Sequence, residues 1–302
     1  MNKDSPCRPI IGRFAPSPTG ELHLGSLVTA LASFCHIKSL GGRWLVRLED
    51  TDFERCKPAF SDKILFDLDA LGLHWDEKSH QSERMAIYED AINELPALIY
   101  ACHCSRKTLA PYHSPIYPRL CTPKAGTHRA YPAQTHLRLM LPDENGVFFD
   151  GIQGKLWQNP QKLLGDVVIR RNNGLINYIW ACAIDDGLQN ISHVMRGLDI
   201  LPMTLSQRFI QSVLTLPTPD HYYHLPLLFN TDGQKLSKQN LARPIDTKNP
   251  SPLLFFALTL LMQNPPADLA YESPAVILDH AVRHWDNRPL IKKDRLGVID
   301  SP

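Results

Sequence analysis

Three short stretches of the 302-residue chain carry residue types and spacings that could do chemistry. The first, Arg13 to Ser26, reads RFAPSPTGELHLGS. Ile10 and Ile11 lead into it, and Leu27, Leu31 and Phe34 recur at helical spacing after it. The pattern predicts a strand, a loop shaped by Pro16, Pro18 and Gly20, and a helix N-terminus. Free N–H groups and the positive end of a helix dipole attract phosphate there. Gly25 lets a group approach the backbone, and His23 can donate to a phosphate oxygen. The second stretch, KLSKQ from Lys235 to Gln239, follows the turn residues Asp232 and Gly233. Lysines on a flexible loop are suited to neutralising a polyphosphate. The third, RLEDTD from Arg47 to Asp52, places acidic residues at the carboxyl end of a short apolar strand. Open α/β sheets hold their ligands at that end, and Glu49 is a natural acceptor for an ammonium.

A fourth cluster suggests metal. Cys102, His103 and Cys104 are consecutive, and Cys121 follows within a proline-rich segment of weak periodicity. Closely spaced cysteines in such a segment suit a structural zinc ion. On chemical grounds the fourth ligand stays open, with His113 and His103 both available. Cys7, Cys35, Cys56 and Cys182 lack such company and read as packing residues.

Together the loops resemble the HIGH and KMSKS signatures of class I aminoacyl-tRNA synthetases. RFAPSPTG, RLEDTD, HVMRGLDIL (His193 to Leu201) and HLPLLFNTDGQKLSKQN extend that resemblance to the glutamyl-tRNA synthetase catalytic domain, from about Arg13 to Asn240. Departures are modest: Ser26 stands where HIGH ends in His, Leu236 replaces Met, and Gln239 replaces the final Ser. The resemblance implies ATP-dependent activation of L-glutamate, with Mg²⁺ accompanying ATP. Catalytic positions would be His23, Gly25, Lys235 and Lys238, and ATP would meet His23, Gly25, Ser26 and Lys238. Glutamate would be held by Arg13, Phe14, Ala15, Pro16, Ser17, Glu49, Tyr178 and Arg196. Arginine suits capture of a carboxylate, which glutamine could not offer from its side chain. Related proteins bind zinc through Cys-x-Cys, Tyr and Cys, which would map to Cys102, Cys104, Tyr117 and Cys121. The chain is also expected to end before any anticodon-reading region. It is most similar to the short branch of the family, whose acceptor is the queuosine base in the anticodon loop of tRNA(Asp). The alternatives are charging of a tRNA 3′ end and a non-catalytic RNA-binding relative.

The elements that must position these residues read as α/β, a Rossmann-like parallel sheet of the class I synthetase kind, with a zinc-containing insertion and a small helical C-terminal part. The expected divisions are 1–100 for the first half of the catalytic domain and 101–187 for the insertion. The second half, with the KLSKQ loop, would span 188–240, and a helical segment 241–302. Strands are expected at Arg43 to Glu49 and at Lys162 to Arg171, and helices at Pro58 to Leu71, Glu83 to Tyr100, Pro252 to Met262 and Pro274 to Trp285. Gly174 to Ile184 would re-enter the core, with Asp185 and Asp186 at a strand end and Tyr178 in an apolar strand.

Composition sets outer limits. Hydrophobic residues make up 43% and charged residues 21%, as in ordinary globular proteins. A formal net charge of +1 gives no whole-molecule attraction to nucleic acid, so a tRNA must meet a local basic face. No apolar run approaches the roughly 20 residues that span a bilayer, and seven irregularly spaced cysteines argue against a disulfide framework. A cytoplasmic monomer is expected, partnered by L-glutamate, ATP and queuosine-bearing tRNA(Asp), without a membrane.

Overall fold

A computed structural model describes residues 8–114, 116–122, 131, 134–230 and 243–299. The KLSKQ loop, with Lys235 and Lys238, lies outside the described residues.

The chain opens with β1 (Ile11–Phe14), α1 (Leu24–Ser39), β2 (Arg43–Leu48), α2 (Pro58–Ala70), β3 (Glu77–His80) and α3 (Met85–Glu94). It continues through β4 (Ile99–Cys102), α4 (Arg106–Leu109), β5 (His136–Leu139), β6 (Gly146–Asp150), β7 (Gly154–Gln158), α5 (Pro160–Leu164) and β8 (Val167–Arg170). Then follow α6 (Tyr178–Leu188), β9 (His193–Gly197), α7 (Thr204–Val213), β10 (His221–Leu225) and β11 (Leu227–Asn230). The last elements are α8 (Pro250–Leu260), α9 (Pro274–Arg283) and β12 (Arg295–Ile299).

Seven strands form the main sheet in the order β3-β2-β1-β9-β10-β6-β7. All neighbours are parallel except the β6–β7 hairpin. From β1 the chain runs outward through β2 and β3, then returns to place β9 on the other side of β1. Strand order therefore reverses between β1 and β9, and their carboxyl ends open a crevice of the kind that holds ligands in such sheets. Contact across this point is close. Gly12 pairs with His193, and a Cβ on Gly12 would lie 2.3 Å from Ile37 of α1, so only glycine lets α1 sit on the strand.

Helix α1 is buried almost all round, which its near-continuous apolar sequence requires. Sheet strands and α8 and α9 enclose it in one core with Trp44, Leu48, Leu254 and Ile277. A second core joins α3, α6 and α7 to β5 through Tyr88, Leu137, Trp180 and Ile210.

The stretch 101–187, expected as one insertion, divides in two. Strands β4, β5 and β8 make a separate three-stranded antiparallel sheet, whereas β6 and β7 extend the main sheet. Tyr178 to Leu188 is a helix and not a strand, so Asp185 and Asp186 lie in its last turns. An apolar run of this length suits a buried helix as well as a buried strand. The C-terminal part contains both expected helices, but also β12, which pairs in parallel with β11.

Candidate active site

The crevice begins where β1 leaves the sheet. The loop after Phe14 is tied to the end of β2, since Glu49 donates its backbone N–H to the Pro16 carbonyl at 3.0 Å. His23 then caps α1 in extended conformation, its Nδ1 accepting from the Ser26 N–H at 3.3 Å. Nε2 of the same ring lies 3.0 Å from Ser26 Oγ. His23, Gly25 and Ser26 line a cavity of about 260 Å³ together with Phe14, Ala15, Pro16 and Ser17. Its far wall comes from Gly197, Asp199 and the start of β11. A helix N-terminus opening into a cavity can take phosphate through its backbone N–H groups.

A buried set of charges is built on α6 and reaches Arg13, next to Phe14 of the cavity wall. Tyr178, Cys182 and Asp186 follow one another at four-residue spacing and so share a face. Asp186 accepts from Arg13 Nε at 2.9 Å and Nη2 at 3.2 Å, and lies 2.8 Å from Arg47 Nη1. Burial alone would push its carboxyl up, but the two guanidiniums hold it down at about 2. Asp185 accepts from Arg84, Gln81 and the Tyr88 hydroxyl at 2.7–2.8 Å. The Cys182 thiol, 3.4 Å from Arg47, is pushed up to about 11 by burial and remains a neutral wall.

Glu49 stands apart from this pairing. It is buried, its Oε1 accepts no hydrogen bond among the described residues, and its nearest cation is Arg47 at 3.5 Å. Burial pushes its carboxyl up to about 7 against the pull of Arg47 and Arg13.

Arg196, at the carboxyl end of β9, shows the complementary condition. Nη1 donates to Gln207 at 2.6 Å and reaches the Tyr178 hydroxyl at 3.4 Å. Nη2 donates to Thr204 at 3.0 Å, and Nε to His224 Nε2 at 3.0 Å. Every one of these partners is neutral, because burial pushes the His224 ring down to about 4. Thus a buried guanidinium has no carboxylate of its own among the described residues. Such a charge is costly unless a ligand pairs with it.

Of the expected substrate residues, the fold brings Arg13, Glu49, Tyr178 and Arg196 to one region, with Phe14 to Ser17 along its upper wall. Arg13, expected to grip substrate, spends two of its N–H groups on Asp186. Sequence reading passed over Asp150, Thr204, Gln207 and His224. Asp150 and His224 carry a faint signal, as polar residues beside aromatic strand neighbours, whereas Thr204 and Gln207 sit in a mostly polar helix and carry none.

The cysteine cluster forms a second, separate site. Cys102, Cys104 and Cys121 place their sulfurs within 4.8 Å of one another. The Tyr117 hydroxyl lies 3.4 Å from Cys102 Sγ and 3.5 Å from Cys104 Sγ, and Cys104 and Cys121 are 3.5 Å apart. A tetrahedron with metal–sulfur bonds of about 2.3 Å has edges of roughly 3.8 Å, so the four groups fit a zinc ion. Neither His103 nor His113 belongs to the cluster, and both are exposed. Zinc held there would cross-link β4 to the following loop.

Residues 9–251 match the family described as tRNA synthetases class I (E and Q), catalytic domain, and the chain belongs to that family of ligases. It is 44% identical to the glutamyl-Q tRNA(Asp) synthetase of Methylococcus capsulatus, over 99% of this chain and 98% of that one. The glutamyl-Q tRNA(Asp) synthetase of Neisseria meningitidis serogroup C is 42% identical over 91% of this chain and 95% of its own. Among solved structures, the glutamate-tRNA synthetase of Elizabethkingia anophelis superposes with a TM-score of 0.75 at 25% identity. That match covers 95% of this chain and 68% of the other. No helix among the described residues is long and apolar enough to cross a membrane.

Proposed function

We propose that the protein activates L-glutamate with ATP and transfers the glutamyl group to the queuosine base in the anticodon loop of tRNA(Asp). One observation carries the first half. Close to Tyr178 lies a buried cation without a carboxylate among the described residues, Arg196, and Tyr178 shares a pocket wall with Glu49, whose buried Oε1 accepts no hydrogen bond among them. An amino acid with an extra carboxylate supplies both missing partners. Glu49 takes the ammonium, Arg196 and Tyr178 take a carboxylate, and Arg13 contributes the edge not engaged by Asp186.

In the first step a glutamate carboxylate oxygen attacks the α-phosphorus of ATP. The bond to the bridging oxygen breaks, and pyrophosphate leaves with that electron pair. His23, Ser26 and the α1 N-terminus at Gly25 hold the phosphates, while Lys235 and Lys238 neutralise the departing pyrophosphate. Positioning and charge stabilisation supply most of the rate in such transfers. Mg²⁺ accompanies ATP, bound mainly through phosphates and water. In the second step an acceptor hydroxyl attacks the activated carbonyl and AMP leaves. Zinc at Cys102, Cys104, Tyr117 and Cys121 is structural in this reading, and the protein acts as a cytoplasmic monomer.

The queuosine acceptor is supported by the names of relatives that are 41–44% identical over most of the chain. The test is labelling of tRNA(Asp) with and without queuosine by radioactive glutamate. Only the queuosine-bearing tRNA should be labelled; equal labelling of both would refute the acceptor.

A further inference from the structure

Arg196 is held by a line of groups that begins on the other side of the sheet's centre. Its Nε–H donates to His224 Nε2 at 3.0 Å, and His224 Nδ1 lies 2.6 Å from Asp150 Oδ2. Asp150 and His224 are wholly buried, on the neighbouring parallel strands β6 and β10. The hydrogen-bond pattern fixes the ring's proton. Nε2 must accept from Arg196, which has no lone pair to give, so the proton sits on Nδ1 and faces the carboxylate. Asp150 is itself locked. Its Oδ1 accepts three backbone N–H groups, from Ile152 and Gln153 at 2.9 Å and from His224 at 3.2 Å. Only Oδ2 is left for the ring.

We infer that Asp150 and His224 are positioning residues for glutamate, which keep Arg196 aimed by holding the imidazole in its Nδ1–H form. This rests on the reading of Arg196 as a carboxylate-binding group. Gln207 and Thr204 take the two Nη groups at 2.6 and 3.0 Å, and the acceptor at Nε fixes the remaining edge of the guanidinium. Loss of that acceptor leaves Nε–H unpaired in the interior, so the guanidinium shifts against its Nη partners and loses its aim.

The geometry makes Asp150→Asn an unusually informative change. The three backbone donors oblige the new amide oxygen to occupy the Oδ1 position, so its NH₂ faces His224. The ring must then accept at Nδ1 and carry its proton on Nε2, against the Arg196 N–H. Two donors meet, and Arg196 is displaced with almost no change in volume. A glutamine at 224 can turn its carbonyl to Arg196 whatever stands at 150.

The experiment measures glutamate-dependent exchange of pyrophosphate into ATP, with KM for glutamate and ATP determined separately and melting temperature followed in parallel. Asp150→Asn should raise the glutamate KM about tenfold or more, as loss of an orienting partner does elsewhere, with ATP KM unchanged. His224→Gln should cost only a few fold, and the double variant should return to the His224→Gln value. A glutamate KM in Asp150→Asn within twofold of wild type, or a double variant worse than either single one, would overturn the inference. Should Asp150→Asn fail to fold, His224→Gln and His224→Met decide alone: equal glutamate KM values contradict it. Arg196→Ala separates the two levels. If glutamate KM survives there, the reading of Arg196 itself fails. If it is lost there but not in Asp150→Asn, only the positioning claim fails.

Discussion

Asp186 on helix α6 is bonded twice by Arg13 of strand β1, through Nε at 2.9 Å and Nη2 at 3.2 Å, and the pair is sealed from solvent. This link joins the first strand of the sheet to helix α6. Removing one partner of a buried ion pair leaves the other charge uncompensated, at a cost of roughly 3–5 kcal/mol. Asp186→Ala leaves Arg13 without its carboxylate and takes from Arg47 its shortest ion pair, and should destabilise the fold by about that amount. Urea denaturation at neutral pH measures it; a loss under about 1 kcal/mol would contradict the assigned role.

Glu49 should trade stability for substrate binding. Its carboxyl is pushed up to about 7 by burial, against a usual value of 4.5. A group raised in this way binds its proton more tightly when folded. Its contribution is therefore fully present below pH 4.5 and is lost as pH rises to about 7. At pH 8 the charged Glu49 is a net cost on the order of 3 kcal/mol. Glu49→Gln should accordingly melt at a higher temperature than wild type at pH 8 while losing most glutamate-dependent exchange. In the wild type, kcat/KM for glutamate should fall as pH drops through about 7. A flat profile from pH 6 to 8 would show that Glu49 does not meet the ammonium.

Acid should weaken the fold through histidines at the opposite end of the sheet. His36 and His193 lie 5.8 Å apart, His36 Nε2 has no hydrogen-bond partner among the described residues, and burial pushes both rings from 6.5 down to about 4. Lowered histidines favour the folded state while neutral. That stability is complete above pH 6.5 and drains away down to about pH 4. The drop should reach on the order of 3 kcal/mol per ring over the window. His36→Leu should flatten the curve of unfolding free energy against pH between those limits; an unchanged slope there counts against the assignment.

For the cysteine site, zinc content after gel filtration should be one per chain and should fall in Cys104→Ala. Tyr117→Phe should weaken zinc in competition with a chelator, whereas His113→Ala and His103→Ala should not. Retention of zinc by Tyr117→Phe together with loss in His113→Ala would reassign the fourth ligand.

Much of this was readable from the chain because its signals are local. The β1–loop–α1 unit, the helices at Pro58, Pro250 and Pro274, and the acidic end of β2 each carry their own turn residues, caps or periodicity. The misread places depend on distant partners. Tyr178 to Leu188 is buried on nearly every side, its two aspartates included, because it is enclosed by α3 and α7, so no exposed polar face marks it as a helix. Strand β6 lies within the stretch expected as an insertion, yet pairs with β10 more than 70 residues later. Asp150, Gln207 and His224 gain meaning only once that pairing sets them around Arg196. Of the site itself, residue types were legible, but their division into paired charges and vacant ones was not. That Arg13 is tied to Asp186 while Arg196 meets only neutral groups is a property of three-dimensional neighbours.

The most direct test of glutamate activation is exchange of labelled pyrophosphate into ATP with the purified protein, glutamate and Mg²⁺, in the absence of any RNA. Exchange should require glutamate, should not be supported by glutamine, and should collapse in Arg196→Ala with the melting temperature retained. Absence of exchange in the wild type, or equal exchange with glutamine, would contradict the account.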